Sequence, residues 1–501
     1  MPSQYEINAT IQQNRTLYAK INLLNFNFQV VDELSGVVIG NPSFTNDSTS
    51  DIRRTCDISI YPTDSSFDIV QGNKIWLDKY IQIYIGIKNI RYLNDLTTDS
   101  NAQEIVYTNM GVYLINNPEK TYSATSNTLK IEGLDLMAKL TGKRNGSLEG
   151  MTYIIPQGSN VRQAMIALLE ESGFTNYVIS ECPYTVPNDI NISSGGYVYD
   201  VLALLRDIVP NYQIYFDING IFRYELMPSG YNEQIRVDDT IWEKSLISYQ
   251  VNTDFEDLKN VIEVYGKTND IDNYGVATVS DSTYSVTIST ITALSDQLKI
   301  GFTVPSFVNS PYLNVNSYGA KPIKDSNENL IDLRNLLIPA SFSYPSGTLY
   351  PNSTMTNSFL SGNYFVVRYI SSGDYFLFLG HVNPRAYIEE SNPDSPFYVN
   401  STTGRIRKVL VGGEYDNIYS DDLAMERAKW ELYTRCRLLD TVTLVCVPIF
   451  WLDVNWVISI TLPNKQGVAT TNLYLIKQIS TEYGVSGNQT ITLMTYYPYY
   501  Q

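Results

Sequence analysis

Apolar and polar residues alternate with a period of two through much of the chain. Arg54–Thr55–Cys56–Asp57–Ile58–Ser59–Ile60–Tyr61 alternates in this way, and so does Lys79–Tyr80–Ile81–Gln82–Ile83–Tyr84–Ile85. Such alternation predicts strands with one face in a core and the other facing water or a neighbour. The Tyr, Ile, Val and Thr that fill them suit a pleated, half-buried surface. Clusters of Asn, Gly, Ser and Asp separate one strand from the next. Residues 1–145 therefore read as a mostly antiparallel β domain.

The period changes near Gly146. Val161, Ala164, Met165, Leu168 and Leu169 fall on one face of a helix. Ser159 or Asn160 can cap its first N–H groups, and Gly173 can take the left-handed stop. A second helix is predicted from Tyr197 to Ile208, ending before Pro210. Two strands around Ile214 and Arg223 flank Asp217–Ile218–Asn219–Gly220, where Asn219–Gly220 suits the positive φ of a tight hairpin turn. Residues 146–240 thus form a small α+β domain.

Asn260–Val261–Ile262–Glu263–Val264–Tyr265–Gly266 is a further strand. Residues 271–404, rich in Ser, Asn, Tyr and Thr, read as an inserted β-rich segment whose surface suits contacts. A helix over 421–437 has an acidic start that complements its dipole. Strands then run to the end of the chain, so that 241–270 and 405–501 make a second β domain.

Two stretches repeat one series of features. Ile75–Trp76–Leu77–Asp78 precedes the strand Tyr80–Ile81–Gln82–Ile83, and Phe450–Trp451–Leu452–Asp453 precedes Trp456–Val457–Ile458–Ser459–Ile460. Each is followed by a Tyr-Leu-Ile strand, at Tyr113 and at Tyr474, and then by a closing strand, Thr128–Ile131 or Thr490–Leu493. Strands ending at Pro62 and Pro448 precede them. An ordered series of matches favours a duplicated β domain over chance likeness between strands. Trp76, Asp78, Tyr113, Trp451, Asp453 and Tyr474 are its anchors, with both tryptophans expected at the edge of a barrel core.

The length, 501 residues, exceeds what one core of about 250 to 300 residues can fill, which agrees with several domains. Low charge (17%) with 62 aromatic residues excludes a disordered chain. The net charge of −17 argues against a nucleic-acid-binding surface. No apolar run approaches a membrane span, and the polar N-terminus lacks an export signal core. Cys56, Cys182, Cys436 and Cys446 are far apart and without a CxxC, as buried single thiols are.

Chemistry is scarce. The only histidine, His381, rules out two-histidine zinc sites, and its apolar strand-like setting favours a structural role. Adjacent acid pairs, Glu170–Glu171 and Glu389–Glu390, arise readily among 52 acidic residues and read as solvated surface rather than as a glycosidase pair. There is no GxSxG, P-loop or EF-hand loop. No cofactor and no metal site is expected, and the chain reads as non-enzymatic.

Taken in order, five segments resemble the baseplate hub proteins of bacteriophage tails and of related contractile particles. They are Arg53–Arg54–Thr55, Gly111–Val112–Tyr113–Leu114–Ile115, Ile131–Glu132–Gly133–Leu134–Asp135, Asn260–Gly266, and the late helix followed by Val447–Pro448 and Trp451–Leu452–Asp453. The resemblance implies a mainly β fold with an α+β insertion, in which two tube-like antiparallel β-barrel domains carry inserted domains. It also implies a homotrimer whose six barrels ring a channel for DNA passage. Such a ring joins the hexameric tail tube to a trimeric spike or tip, among other baseplate proteins. The protein would then reside in the virion tail, having been made in the host cytoplasm. Two other readings are a receptor- or carbohydrate-binding tail protein, with 271–404 as the binding part, and a tail-associated cell-wall hydrolase.

Overall fold

The computed structural model describes residues 2–498 except 35–37, 98, 149–152, 183, 187–188, 194, 210, 231–232, 238, 269–270, 334–339, 344–351, 356–363, 439, 464–468 and 485. The predicted periodicities become elements. In the strand Arg54–Ile60, Cys56, Ile58 and Ile60 are buried and Asp57 is exposed. In Tyr80–Lys88, Ile81, Ile83, Ile85 and Ile87 all enter the same core. The fold is mainly β, at 43% strand against 15% helix, with two antiparallel barrel domains and inserted domains. An N-terminal helix, Gln4–Ile11, was not anticipated; Ser3 and Glu6 form a capping box at its start.

Among the described residues, thirteen strands form one sheet. In chain order they are β1 (Leu17–Leu24), β2 (Val30–Glu33), β3 (Val38–Asp47), β4 (Arg54–Ile60), β5 (Tyr80–Lys88), β6 (Ile105–Tyr122), β7 (Asn127–Leu134), β8 (Ile235–Val237), β9 (Leu246–Thr253), β10 (Asp440–Cys446), β11 (Val457–Pro463), β12 (Ala469–Glu482) and β13 (Gln489–Thr495). Neighbours run β9-β10-β13-β12-β3-β4-β7-β6-β5-β1-β2, with β11 also on β12 and β8 on β11.

One strand order occurs twice, as β3-β4-β7-β6-β5 and as β9-β10-β13-β12-β11. The registers correspond as well. Phe44, Cys56, Gly133 and Ile115 lie in one row across the first set. Val251, Val442, Leu493 and Ile476 form the matching row of the second. Each long strand is irregular just beyond its Tyr-Leu-Ile, between Asn116 and Glu119 in β6 and between Ile476 and Gln478 in β12. The ladders set Ile131 against Ile491. The closing strands therefore correspond two residues away from the sequence match of Ile131 with Leu493, a shift that keeps every side chain on its face.

Between the barrels in sequence, residues 146–230 pack around the helices Val161–Glu171 and Val198–Asp207. Asn160 supplies the first helix cap and Gly173 takes a φ of +81°. Pro210 lies outside the described residues. In the hairpin, only Gly220 adopts positive φ, at +75°. Asp217 accepts the backbone N–H groups of both Asn219 and Ile221, so its carboxylate replaces the two-residue turn that Asn219–Gly220 suggested.

Two domain limits differ from expectation. The strand Val261–Tyr265, the strand Arg407–Leu410 and the helix Asp421–Arg435 do not join the second barrel. They form a separate layer with Arg385–Glu390 and two short strands, around Ile262, Val264, Ile388, Ala424, Ala428 and Leu432. Conversely β8, expected in the α+β domain, lies on β11. Local pattern identified the elements, whereas long-range pairing set their membership. The rest of the insertion forms an eight-stranded sheet with its own core, including Tyr284, Phe302, Leu313, Phe365 and Phe376.

Candidate functional site

The two barrels meet edge to edge. β3 pairs antiparallel with the C-terminal half of β12, from Ser43 opposite Glu482 to Asp47 opposite Gln478. A continuous hydrogen-bonded ladder therefore crosses from one barrel to the other. Phe44, the second residue of this seam, is buried, and so is Thr481 opposite it.

Beneath the seam lies a polar knot. Arg54, the first residue of β4, has a side chain only 4% exposed. Its Nη2 donates to both carboxylate oxygens of Asp453, at 2.7 and 2.8 Å, and its Nη1 to the carbonyl of Phe216 at 2.7 Å. Asp453 also accepts from Asn46 at 2.6 Å. The backbone N–H of Arg54 donates to Asp135, which in turn caps the turn at Met137. Burial pushes the Asp135 carboxyl up to about 6 despite these donors. Arg53 lies over the Tyr215 ring at 4.3 Å and donates to Gln213 at 2.9 Å. Burial lowers its guanidinium to about 10. Gln213 also accepts from Asn455 at 2.5 Å. One cluster thus ties the first barrel (Arg53, Arg54), the second (Asp453, Asn455) and the α+β domain (Gln213, Phe216).

The adjoining cavity, lined in part by Asn46, Arg54, Tyr113, Phe450 and Asp453, measures about 30 Å³. That suffices for a water but not for a substrate. The knot positions domains.

The repeat anchors diverge in their surroundings. Trp451 is 8% exposed, packs in the second barrel core, and donates from Nε1 to Thr10 at 2.9 Å. Its neighbour Phe450 enters the core of the first barrel. Trp76 is only half-buried, and Asp78 is an exposed partner of Lys79 at 2.6 Å. Tyr113 and Tyr474 are both buried, opposite Ile81 and Ile458. The structure therefore brings Tyr113 and Asp453 to the junction, with Trp451 beside it, and leaves Asp78 at the surface. Asn46, Gln213 and Asn455 are junction residues that sequence reasoning missed. The available signal was the Arg-Arg pair opening a strand in a chain with few charges.

Elsewhere, polar groups stiffen the fold. Asn260 is buried, donates to the carbonyls of Phe397 and Gly404, and accepts from the Ile406 N–H. His381 is buried and its Nδ1 lies 2.7 Å from Asp421, which also accepts the N–H groups of His381 and Arg385. This links the strand Tyr375–His381 to the helix Asp421–Arg435. Glu431 on that helix is buried between Arg427 and Arg435. All four cysteines are buried and unbridged. Among the described residues no group of His, Cys, Asp or Glu could hold a metal ion.

One acid pair departs from the solvated surface expected of it. Glu390 is 1% exposed and accepts the Asn392 N–H at 2.8 Å, while Glu389 pairs with Arg405 at 2.8 Å. Successive residues of a strand face opposite ways, so the two carboxylates do not share a cleft. Burial pushes the Glu390 carboxyl up to about 7. The folded chain then holds this proton more tightly than the unfolded chain. The stabilising contribution is complete below the ordinary glutamate range and is lost as pH rises towards about 7. Glu390→Gln should flatten this decline, seen as thermal midpoints that differ less than the parent's between about pH 5 and about pH 8. An unchanged pH dependence would show that Glu390 does not titrate in this window.

The chain resembles phage tail proteins over nearly its whole length. The 43 kDa tail protein of prophage MuSo2 from Shewanella oneidensis is 8% identical with a TM-score of 0.49, covering 95% of this chain and 98% of that one. A tail protein from Neisseria meningitidis is 9% identical with a TM-score of 0.46, covering 96% of each. Prophage tail protein gp18 from Listeria monocytogenes is 10% identical with a TM-score of 0.42, covering 95% and 94%. A domain family of unknown function, DUF5048, matches residues 394–500. No curated protein matches the chain.

Proposed function

We propose that this protein is a structural component of a phage-type tail, a hub in which three chains form a pseudo-six-fold ring. What carries this reading is the repeated strand order together with the in-chain seam: two like barrels already sit side by side, joined edge to edge. A chain that presents one binding surface twice can meet a six-fold tube end with three copies. The other domains keep the three-fold character that a spike or tip requires. The junction supports a geometric role, since its charges are consumed in holding domains together. Were the net charge of −17 per chain concentrated on the bore, DNA would pass without sticking.

Light scattering and negative-stain imaging of the purified full chain test the proposal. The expected result is a trimer appearing as a ring of six lobes around a channel. A chain that stays monomeric at every concentration, or a trimer without a central channel, overturns it.

A further inference from the structure

The in-chain seam uses one edge and one flank of a matched set, and leaves the other edge and flank open. The edge used is β3 of the first barrel, and the flank used is the C-terminal half of β12 in the second. Their counterparts are β9 and the C-terminal half of β6, by the ladder rows that relate the barrels. β9 pairs with β10 on one side and ends the sheet on the other. β6 pairs with β5 only through Ile105–Leu114, so beyond Leu114 only its β7 side is laddered among the described strands.

The burial of matched positions makes the contrast plain. Phe44 at the seam is 4% exposed, whereas its counterpart Val251 is 46% exposed. Thr481 is buried, whereas its counterpart Lys120 is exposed. Ile247, at the register shift in β9, is also exposed, as is Tyr122 at the end of β6. Open strand edges are templates for pairing, and proteins normally cover or blunt them. Here an edge and a flank of complementary kind stand on different barrels of one chain.

We infer that β9 of one copy adds to the C-terminal half of β6 in the next copy, in the antiparallel register that β3 and β12 use within the chain. Ser43 opposite Glu482 becomes Gln250 opposite Thr121 of the neighbour. Phe44 opposite Thr481 becomes Val251 opposite Lys120, and Thr45 opposite Ser480 becomes Asn252 opposite Glu119. The partner is a second copy of this chain, because the complementary edge is one the chain itself carries. The contact is head-to-tail, so successive copies turn by one fixed rotation and close into a ring when that rotation divides a circle. The inference rests on the ring reading above and specifies which strands make its chain-to-chain contacts.

The test uses the full chain with Asn252→Cys and Glu119→Cys together, treated with a short bismaleimide cross-linker. The native cysteines are all buried and do not compete. Cross-linked dimers and trimers are expected from the double variant and none from either single variant. A second pair probes the same register by charge. Asn252→Glu places like charges opposite each other and should shift the trimer to monomer; adding Glu119→Lys should restore it. A trimer that fails to cross-link through these positions, or that persists with Asn252→Glu alone, overturns the register and leaves the ring reading standing. A chain that is monomeric throughout overturns both.

Discussion

Replacing Asp453 by alanine is expected to destabilise the protein by about 3 to 5 kcal/mol, because it leaves the buried Arg54 guanidinium without its bonded carboxylate. Arg54 would retain the Phe216 carbonyl and the nearby Asp135 but lose the carboxylate its guanidinium is bonded to. Asn46 would lose its acceptor in the same step. Removing the pair as a whole should behave differently. Arg54→Met with Asp453→Leu leaves no orphaned charge, and such replacements are often close to neutral. Denaturant unfolding of the parent, the single variant and the double variant checks this. A single variant as stable as the parent would mean that the ion pair contributes nothing to joining the barrels.

Trp451→Ala should cost about 3 to 5 kcal/mol, the usual range for a large aromatic lost from a core. The indole fills space among Ile449, Leu452 and Val454 and also satisfies Thr10 through its Nε1. Its loss therefore opens a cavity and removes one of the contacts that hold the N-terminal helix to the second barrel, where Ile7 and Ile11 also pack. Trp76→Ala should cost less than half as much, since that side chain is already half in water. Matched unfolding curves measure the difference. Equal losses at the two positions would contradict their unequal burial.

What could be read along the chain was whatever depends on near neighbours. The alternation at Arg54–Ile60, the helical face from Val161 to Leu169, and the acidic start of the helix Asp421–Arg435 all became the elements they predicted. Each is set by residues a few positions apart. The seam was not legible, because Ser43 and Glu482 are far apart in sequence and neither carries an unusual residue type. Nor was the Arg54–Asp453 pair, whose members are separated by 399 positions. The Trp-Leu-Asp repeat did point to Asp453. It suggested equal roles for Asp78 and Asp453, however, whereas only one of them meets an arginine from the other barrel. The Glu389–Glu390 pair failed for a related reason: a carboxylate's burial is decided by what folds over it, here Asn392 and Cys436.

The eight-stranded insertion leaves and re-enters the chain through neighbouring strands, with Tyr265 directly opposite Arg385. Its entry and exit are thus one strand spacing apart, and its apolar residues are spent on its own core. A segment attached in this way behaves as a cassette. Changes within its eight-stranded sheet add little closure entropy, provided that two ties are kept: the pairing of Ser353–Met355 with Ile388–Glu390 and the contact of His381 with Asp421. Variation among chains of this architecture would then be concentrated in the cassette, while the barrels and their seam remain under the constraint of matching one another.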